Sequence, residues 1–307
     1  MARIPRFERK DLPTVYHVIS RSALPGLPIG ASDKDYLLQL IQWLSGLYFV
    51  DILGFCLMGN HFHLVVRVYP ESELSNEELR RRYKAFYGQD QEIAGAWLDS
   101  YRRRLTSLGS FAKDIKQGFT RYYNKKHNRR GYFWGERFKS VIVQDGRTLV
   151  NLLAYVDLNP IRAGIVRRPE EYRWCSLGYH LQTGNAGDLL SLEFGLSDWG
   201  DLEPKEAVRK YREFIYETGA ENAGKGAAMD RRIVERERRR KYRVSRRDRF
   251  LYRSRYFTDS GIIGSKEFVG EVFERVKHLL GSKGRRRFTS VGGIDGVYSM
   301  KRLTECG

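Results

Sequence analysis

The stretch 58–66 constrains the fold more than any other part of this chain. It contains two histidines, His61 and His63, separated by one bulky apolar residue and followed directly by an apolar run. This pattern is typical of the start of a β-strand, where residues two apart point to the same face. We therefore expect both imidazoles on one face of a sheet and Phe62 in the core on the other.

Two imidazoles on one face supply half of a metal site. Neutral imidazole is the commonest metal ligand in proteins, but a third ligand has to come from elsewhere in the chain. The alternative is a pair of exposed or hydrogen-bonded histidines without a metal, because a His-x-His spacing often occurs by chance. The remaining chain decides between these interpretations.

The order of strand-like and helix-like segments predicts the fold. Gly59-Asn60 fits a two-residue hairpin turn between two antiparallel strands. Periodicity and turn residues predict strands at 14–20, 50–58, 61–68 and 138–143, helices at 33–47, 110–126 and 149–158, and an inserted helical pair within 70–107. Ser32 and Asp35 resemble a capping box for the first helix. The order β-α-β-β-α-β plus an extra helix predicts an α+β fold of the ferredoxin-like type, with one sheet face free for a site.

The net charge of the chain indicates what kind of partner it binds. The 307 residues carry a formal net charge of +18, which indicates a polyanion, and nucleic acid is the obvious one. A membrane partner has no support from a long apolar run or a basic amphipathic helix. The first ten residues are charged and have no apolar core, so we expect a cytoplasmic protein.

The three cysteines, Cys56, Cys175 and Cys306, are far apart in the sequence. They predict neither a disulfide framework nor a zinc ribbon.

The loop 125–138 alternates basic and aromatic residues. Basic side chains can follow phosphates and aromatic faces can stack on bases, which is typical of proteins that bind single strands or hairpins. The candidate contacts in this loop are Lys125, Lys126, Arg129, Arg130, Trp134 and Arg137. The alternative is a loop whose aromatic residues simply cover the core.

The extra helix carries Tyr155 and Asn159, which are four residues apart and therefore neighbours on one helical face. If this helix lies beside the free sheet face, a phenol and an amide oxygen come close to His61 and His63. Two imidazoles and one amide oxygen can hold a divalent ion that polarises a phosphate, and tyrosine can act as a covalent nucleophile. The alternative for Tyr155 is an ordinary helix tyrosine with its ring in the core.

Four segments taken together resemble a known family. They are Tyr16-His17-Val18 with Arg21, the stretch 58–63 (Met-Gly-Asn-His-Phe-His), the stretch 133–138 (Phe-Trp-Gly-Glu-Arg-Phe) and the stretch 155–164, which contains Leu-Asn-Pro-Ile-Arg-Ala-Gly. In order and spacing they resemble the HUH single-tyrosine transposases, in particular the REP-associated tyrosine transposases. The resemblance covers about residues 13–180.

The resemblance implies a mechanism. It implies that His61 and His63 form the metal-binding pair, that Tyr155 is the nucleophile, and that single-stranded DNA is cut and rejoined next to a hairpin with Mg²⁺ or Mn²⁺. Asn159 matches the position of the third ligand, where related enzymes often carry glutamine. Arg21 and Arg162 lie within the matched segments and are candidate DNA contacts. On ligand softness alone the same donors would also suit Zn²⁺.

The C-terminal third concentrates positive charge. Residues 201–307 hold 27 lysines and arginines against 16 acidic residues, a net of +11, and Arg238, Arg239 and Arg240 lie in the densest run. Such a block can bind a phosphate backbone without reading sequence. We expect a catalytic domain over 1–200 and a basic accessory DNA-binding region over 201–307 that includes an amphipathic helix at 265–280. A solvated tail without DNA contact is the alternative.

The predicted function is therefore a metal-dependent single-stranded DNA transposase with a 5′-phosphotyrosine intermediate. A non-catalytic regulatory protein that binds DNA or RNA hairpins and derives from a transposase is the alternative. A metal-dependent phosphodiesterase that uses water is a third reading, since it needs the metal but not Tyr155. A homodimer is one option for the oligomeric state, because relatives occur both as dimers and as monomers.

Overall fold

The computed structural model describes residues 8–191, 202–220, 226–244, 262–276, 288–290 and 298–299. Its main sheet has four antiparallel strands in the order β2-β3-β1-β4. The strands are β1 (Thr14–Arg21), β2 (Val50–Leu57), β3 (His61–Val68) and β4 (Lys139–Val143). This strand order belongs to the ferredoxin-like split β-α-β fold, so the predicted α+β class is confirmed.

Ten helices accompany the strands in the described part of the chain. They are α1 (Ala31–Leu47), α2 (Asn76–Tyr87), α3 (Leu98–Leu105), α4 (Leu108–Lys126), α5 (Arg147–Asp157), α6 (Asn159–Arg162), α7 (Ser176–Thr183), α8 (Pro204–Ala220), α9 (Arg231–Arg239) and α10 (Lys266–Val276). Single 3₁₀ turns lie at Glu71–Glu73, Gly95–Trp97, Pro169–Glu171 and Ala186–Asp188. A small second sheet has the order β5-β7-β6, with β5 (Ile263–Gly264), β6 (Thr289–Ser290) and β7 (Tyr298–Ser299). None of the described helices combines the length and the apolar character needed to cross a membrane.

Helix α1 begins differently from the prediction. Gly30 occupies the N-cap, and its backbone N–H donates to the Asp33 carboxylate at 3.0 Å. Because the helix starts two residues earlier than expected, Asp33 stands at the third position, where a carboxylate can reach back to the cap. Asp35 instead accepts hydrogen bonds from Arg173 and from the Trp174 indole.

Hydrophobic clusters cover both faces of the main sheet. On one face α1 and α4 pack against alternate residues of β3, such as Phe62 and Leu64. On the other face α5, α7 and α8 form a second cluster with Val15 and Val65. The expectation of a free second face is therefore wrong, because α5 and α7 bury apolar residues against it.

A glycine lets α5 approach β2 closely. A side chain at Gly54 would meet Cδ2 of Leu153 at 2.5 Å, and the register of β2 against β3 shifts between Ile52 and Gly54. Glycine is the residue that permits such a bulge beneath a packed helix. This close contact sets how far α5 lies from the neighbouring histidine strand.

The described part of the C-terminal region packs on α5. Tyr211 and Ile215 of α8 share a hydrophobic cluster with Leu153, and α9 in turn packs on α8. Farther along, α10 matches the amphipathic helix predicted at 265–280, whose last four residues lie outside the described chain. The Ser265 hydroxyl accepts the backbone N–H of Phe268 at the start of this helix.

The two cysteines that the structure describes are buried free thiols, as expected for a reduced, structural role. Cys56 and Cys175 are paired across an isolated antiparallel β-bridge. Burial raises the pKa of both thiols well above the ordinary value, which keeps them protonated and unreactive. Cys306 lies outside the described residues.

Candidate active site

The paired histidines lie at the start of β3, an inner strand of the sheet. His61 and His63 project from the same face with their ring centroids 5.1 Å apart, as the two-residue period of a strand requires. Phe62 points to the opposite face, where its ring meets Trp134 edge-on at 5.3 Å. The tight connection predicted at Gly59-Asn60 is present and is closed by a hydrogen bond from Met58 N–H to the His61 carbonyl.

Each of the two imidazoles is hydrogen-bonded through Nδ1. His61 Nδ1 lies 2.7 Å from Oδ1 of Asn60, and His63 Nδ1 lies 2.9 Å from Nε2 of His17 on β1. The His17 and His63 rings stack at 5.2 Å between centroids, with 18° between their planes. Nε2 is thus the nitrogen of each ring left for a ligand, and it has no hydrogen-bond partner among the described residues.

Burial keeps all three imidazoles neutral. It lowers the pKa of His17 and of His61 to about 4 and that of His63 to about 3. Arg21, which pairs with His61 across β1 and β3, adds to the lowering at His61 and His63. Neutral imidazole is the form that donates a lone pair to a metal ion, so the ring chemistry fits a divalent cation.

Helix α5 brings Tyr155 to the histidines. The centroid of its ring lies 5.8 Å from that of His63 and 6.3 Å from that of His17, edge-on in both cases. The Arg162 guanidinium carbon lies 5.0 Å from the centroid of the same tyrosine ring. Tyr155 remains 42% exposed, so the alternative of an ordinary tyrosine with its ring in the core does not hold.

A buried carboxylate fixes the end of α5 that carries Tyr155. Asp157 is fully buried and accepts hydrogen bonds from the Leu177 backbone N–H at 3.1 Å and from the Tyr211 hydroxyl at 2.8 Å. Burial raises its pKa to about 6. The tyrosine helix is therefore tied to both α7 and α8 next to the site.

Asn159 caps the helix that carries Tyr155. Its Nδ2 donates to the carbonyls of Tyr155 and Val156 at 2.9 and 3.3 Å, which leaves Oδ1 as its potential ligand atom. Among the residues that the structure describes, no group of three or more histidine, cysteine, aspartate or glutamate side chains could hold a metal ion. A third ligand for His61 and His63 would have to be another type of donor, such as an amide oxygen or water.

Comparison with known proteins adds little to this geometry. No family model matches the chain, and no curated protein matches it. One similar solved structure is described as the REP associates tyrosine transposase bound to a REP hairpin. Its TM-score is 0.42 and its identity 12%, and the match covers 62% of this chain and 92% of that one.

The predicted DNA contacts differ in how accessible they are. The side chains of Arg21, Lys125, Arg130 and Arg137 are exposed. Other candidates are partly engaged: Lys126 pairs with Asp33, Arg129 lies over the Tyr123 ring and Arg238 pairs with Glu217, while Arg240 lies 3.8 Å from Glu237. Arg239 is exposed on α9.

Trp134 is not available to stack on a base, which corrects its assignment as a DNA contact. It is 7% exposed, its ring packs against Phe62 and Phe119, and its Nε1–H donates to the Lys116 carbonyl at 3.0 Å. Tyr132 in the same loop is 75% exposed and is the better candidate for stacking. The sequence could not separate the two, because both are aromatic residues among arginines.

Two other residues of the site, His17 and Asp157, were not among the predicted functional residues. His17 lies within a segment that carried the family resemblance, but no function was attached to it. Asp157 gave only a weak signal, a single acid within an otherwise apolar stretch of helix. Each is hydrogen-bonded to a residue more than 40 positions away in sequence: His17 to His63, and Asp157 to Tyr211 of α8.

Proposed function

We propose that this protein cuts and rejoins single-stranded DNA next to hairpins through a covalent 5′-phosphotyrosine intermediate formed at Tyr155. The observation that carries the proposal is the contact between the exposed Tyr155 ring and the ring of His63 on the histidine strand. These groups are remote in sequence, and a nucleophile beside neutral imidazole ligands is the arrangement that metal-assisted phosphoryl transfer needs. The preference for hairpins rests on the sequence resemblance.

In the proposed reaction the phenol oxygen of Tyr155 attacks the phosphorus of a phosphodiester. A bond forms between this oxygen and phosphorus, and the bond from phosphorus to the 3′ oxygen breaks. The phenol proton passes to water, and the departing oxygen takes up a proton to become a free 3′-hydroxyl. The phosphotyrosine ester retains the 5′ end, so attack by another 3′-hydroxyl rejoins DNA and releases the tyrosine.

The protein groups around Tyr155 have distinct proposed roles. His61, His63 and Asn159 would hold Mg²⁺ or Mn²⁺, which when bound supplies Lewis-acid polarisation of a non-bridging phosphate oxygen. Arg162, stacked over the Tyr155 ring, offers a guanidinium that can donate two hydrogen bonds to a phosphate. Arg21 provides a further exposed positive charge beside His61.

A covalent trapping experiment tests the proposal. The full chain is incubated with labelled single-stranded oligonucleotides that carry a hairpin and randomised flanks, with Mn²⁺ or Mg²⁺, and adducts are separated on a denaturing gel. We expect a metal-dependent adduct that is lost completely in Tyr155→Phe and reduced by at least about 100-fold in His63→Ala.

Tyr87→Phe is the matched control, because Tyr87 is 43% exposed on the inserted helix α2 and has no proposed role in catalysis. This variant should form the adduct as the unchanged protein does. Cleavage undiminished in Tyr155→Phe would show that water is the nucleophile. Hairpin binding without an adduct at any divalent ion would instead identify a non-catalytic hairpin-binding protein.

A further inference from the structure

His17 is a third imidazole at the site, and it contacts His63 directly. It lies on β1, which pairs with β3, and its Nε2 is 2.9 Å from Nδ1 of His63. Both side chains are at least nine-tenths buried, with His17 6% and His63 4% exposed. A hydrogen bond between two neutral rings couples their tautomers, because one ring has to donate and the other has to accept.

Two proton arrangements satisfy this hydrogen bond, since each neutral imidazole carries one N–H. In the first, His63 carries its proton on Nδ1 and donates to Nε2 of His17, so the Nε2 lone pair of His63 is free. In the second, His17 donates from Nε2, so the proton of His63 lies on its own Nε2. Only the first arrangement leaves His63 able to bind a cation through Nε2.

The neighbouring histidine does not have this ambiguity. Nδ1 of His61 faces the side-chain oxygen of Asn60 at 2.7 Å, and an amide oxygen can only accept. The proton of His61 is therefore held on Nδ1 and its Nε2 lone pair is free. Asn60 thus holds the proton of His61 on Nδ1. His17 holds the proton of His63 on Nδ1 only in the tautomer in which Nε2 of His17 is unprotonated.

We propose that His17 is a positioning residue that accepts the Nδ1–H of His63 and thereby presents the Nε2 lone pair of His63 to a divalent cation. The proposal rests on the proposed function only in naming the cation as the ligand of His63. Groups that donate or accept at the second nitrogen of a metal-binding histidine fix its tautomer and ring orientation. The stacked rings also limit rotation of the His63 side chain.

Nitrogen NMR of the metal-free protein tests the tautomer directly. With ¹⁵N-labelled histidine at pH 7, assigned by comparison with the His63→Gln variant, the His63 signals should be those of a ring protonated on Nδ1 and unprotonated on Nε2. Signals of the opposite tautomer would overturn the proposal. This measurement involves neither DNA nor metal, so its failure is distinct from failure of the proposed transposase activity.

Two substitutions separate positioning from packing. His17→Gln keeps a hydrogen-bond acceptor near the position of Nε2, whereas His17→Phe keeps a stacked ring and removes the acceptor. We expect Mn²⁺ binding, followed by electron paramagnetic resonance of the free ion, to weaken about 10- to 100-fold in His17→Phe and to remain within about threefold of the unchanged protein in His17→Gln.

Thermal unfolding of both variants checks that each one folds. Equal losses of Mn²⁺ affinity in His17→Gln and His17→Phe would overturn the proposal, because an acceptor at this position would then be irrelevant. Unchanged affinity in His17→Phe would overturn it as well. If His17→Phe does not fold, the ¹⁵N tautomer of His63 in the unchanged protein and in His17→Gln still decides the matter.

Discussion

The histidines of the candidate site owe their protonation state to burial more than to neighbouring charges. The three imidazoles are neutral because burial removes them from water. Arg21 lowers the pKa of His61 further, and His17, His61 and Arg21 each lower the pKa of His63 by less than burial does. Tyr155, by contrast, keeps much of its ring exposed. The two proposed histidine ligands are thus held neutral, as cation binding requires, while the proposed nucleophile stays accessible to a DNA strand.

Burial also separates two aromatic residues of the basic loop. Tyr132→Ala should weaken the binding of single-stranded DNA by about 1–3 kcal/mol, since a stacked base loses its aromatic partner. Trp134→Ala should instead lower the free energy of unfolding by about 3–5 kcal/mol, because its ring fills the core. Fluorescence anisotropy with an unstructured oligonucleotide measures the first effect, and urea unfolding measures the second.

Tyr132→Phe is the control for this comparison, because it keeps the ring and removes only the hydroxyl. It should bind DNA like the unchanged protein. A Tyr132→Ala variant with full DNA affinity would remove Tyr132 from the proposed DNA surface. Near-native stability of Trp134→Ala would contradict the buried position of the indole.

At the level of elements, the position of α5 decides whether the site can be assembled. The helix approaches β2 over Gly54, and beside its other end the Asp157 carboxylate bonds to α7 and α8. A fully buried carboxylate is costly when ionised, even with two donors. The stability that Asp157 contributes at the end of α5 should therefore depend on pH.

Asp157→Asn tests this dependence. The pKa of Asp157 is raised from 3.8 to about 6 in the folded protein, so the folded state binds the proton more tightly than the unfolded state. The stability this provides is complete below about pH 4 and is lost as the pH rises through 6, a change of about 3 kcal/mol. Asparagine does not titrate, so the stability of the variant relative to the unchanged protein should rise between pH 4 and pH 7.

Urea unfolding across this pH range measures the difference. Asp99→Asn, an exposed carboxylate on α3, controls for the loss of one negative charge. A difference between Asp157→Asn and the unchanged protein that stays constant with pH would show that Asp157 is not perturbed by burial.

Across the whole molecule, one buried ion network joins the C-terminal helices to the rest of the protein. Arg212 of α8 is 1% exposed and bonds to Glu170, which follows the site helix, and to Glu237 of α9. Both carboxylates are completely buried. The network thus ties α8 and α9 to the 3₁₀ turn Pro169–Glu171, and the bond from the Tyr211 hydroxyl to Asp157 ties α8 to the helix that carries Tyr155.

Replacing Arg212 should have a large effect. Arg212→Ala leaves two buried carboxylates without their shared partner, and we expect a loss of about 3–5 kcal/mol in unfolding free energy. Arg209→Ala on the same helix is the matched control, because its ion pair with Glu206 is partly exposed to solvent and worth at most about 1 kcal/mol. Chemical denaturation of the full chain gives both values, and equal losses in the two variants would contradict a structural role for the network.

Much of the fold could be predicted from local patterns. Strand and helix periodicities gave the order β-α-β-β-α-β, and the strand period put His61 and His63 on one face, because these features depend on backbone geometry over a few residues. The inserted helices and the tight turn at Gly59-Asn60 followed from capping and turn residues. The N-cap of α1 was placed at Ser32 instead of Gly30, because a serine with an aspartate three residues later fits the capping-box pattern, whereas the observed cap uses only the backbone N–H of a glycine.

The sequence by itself determined which chemical groups are available and which neighbours share a face. Only the tertiary structure decided that Tyr155 meets His63, that His17 is the hydrogen-bond partner of His63, and that Trp134 belongs to the core. The physical reason is range: spacing along a helix or strand is set by backbone geometry, whereas contacts across the molecule depend on how whole faces pack together.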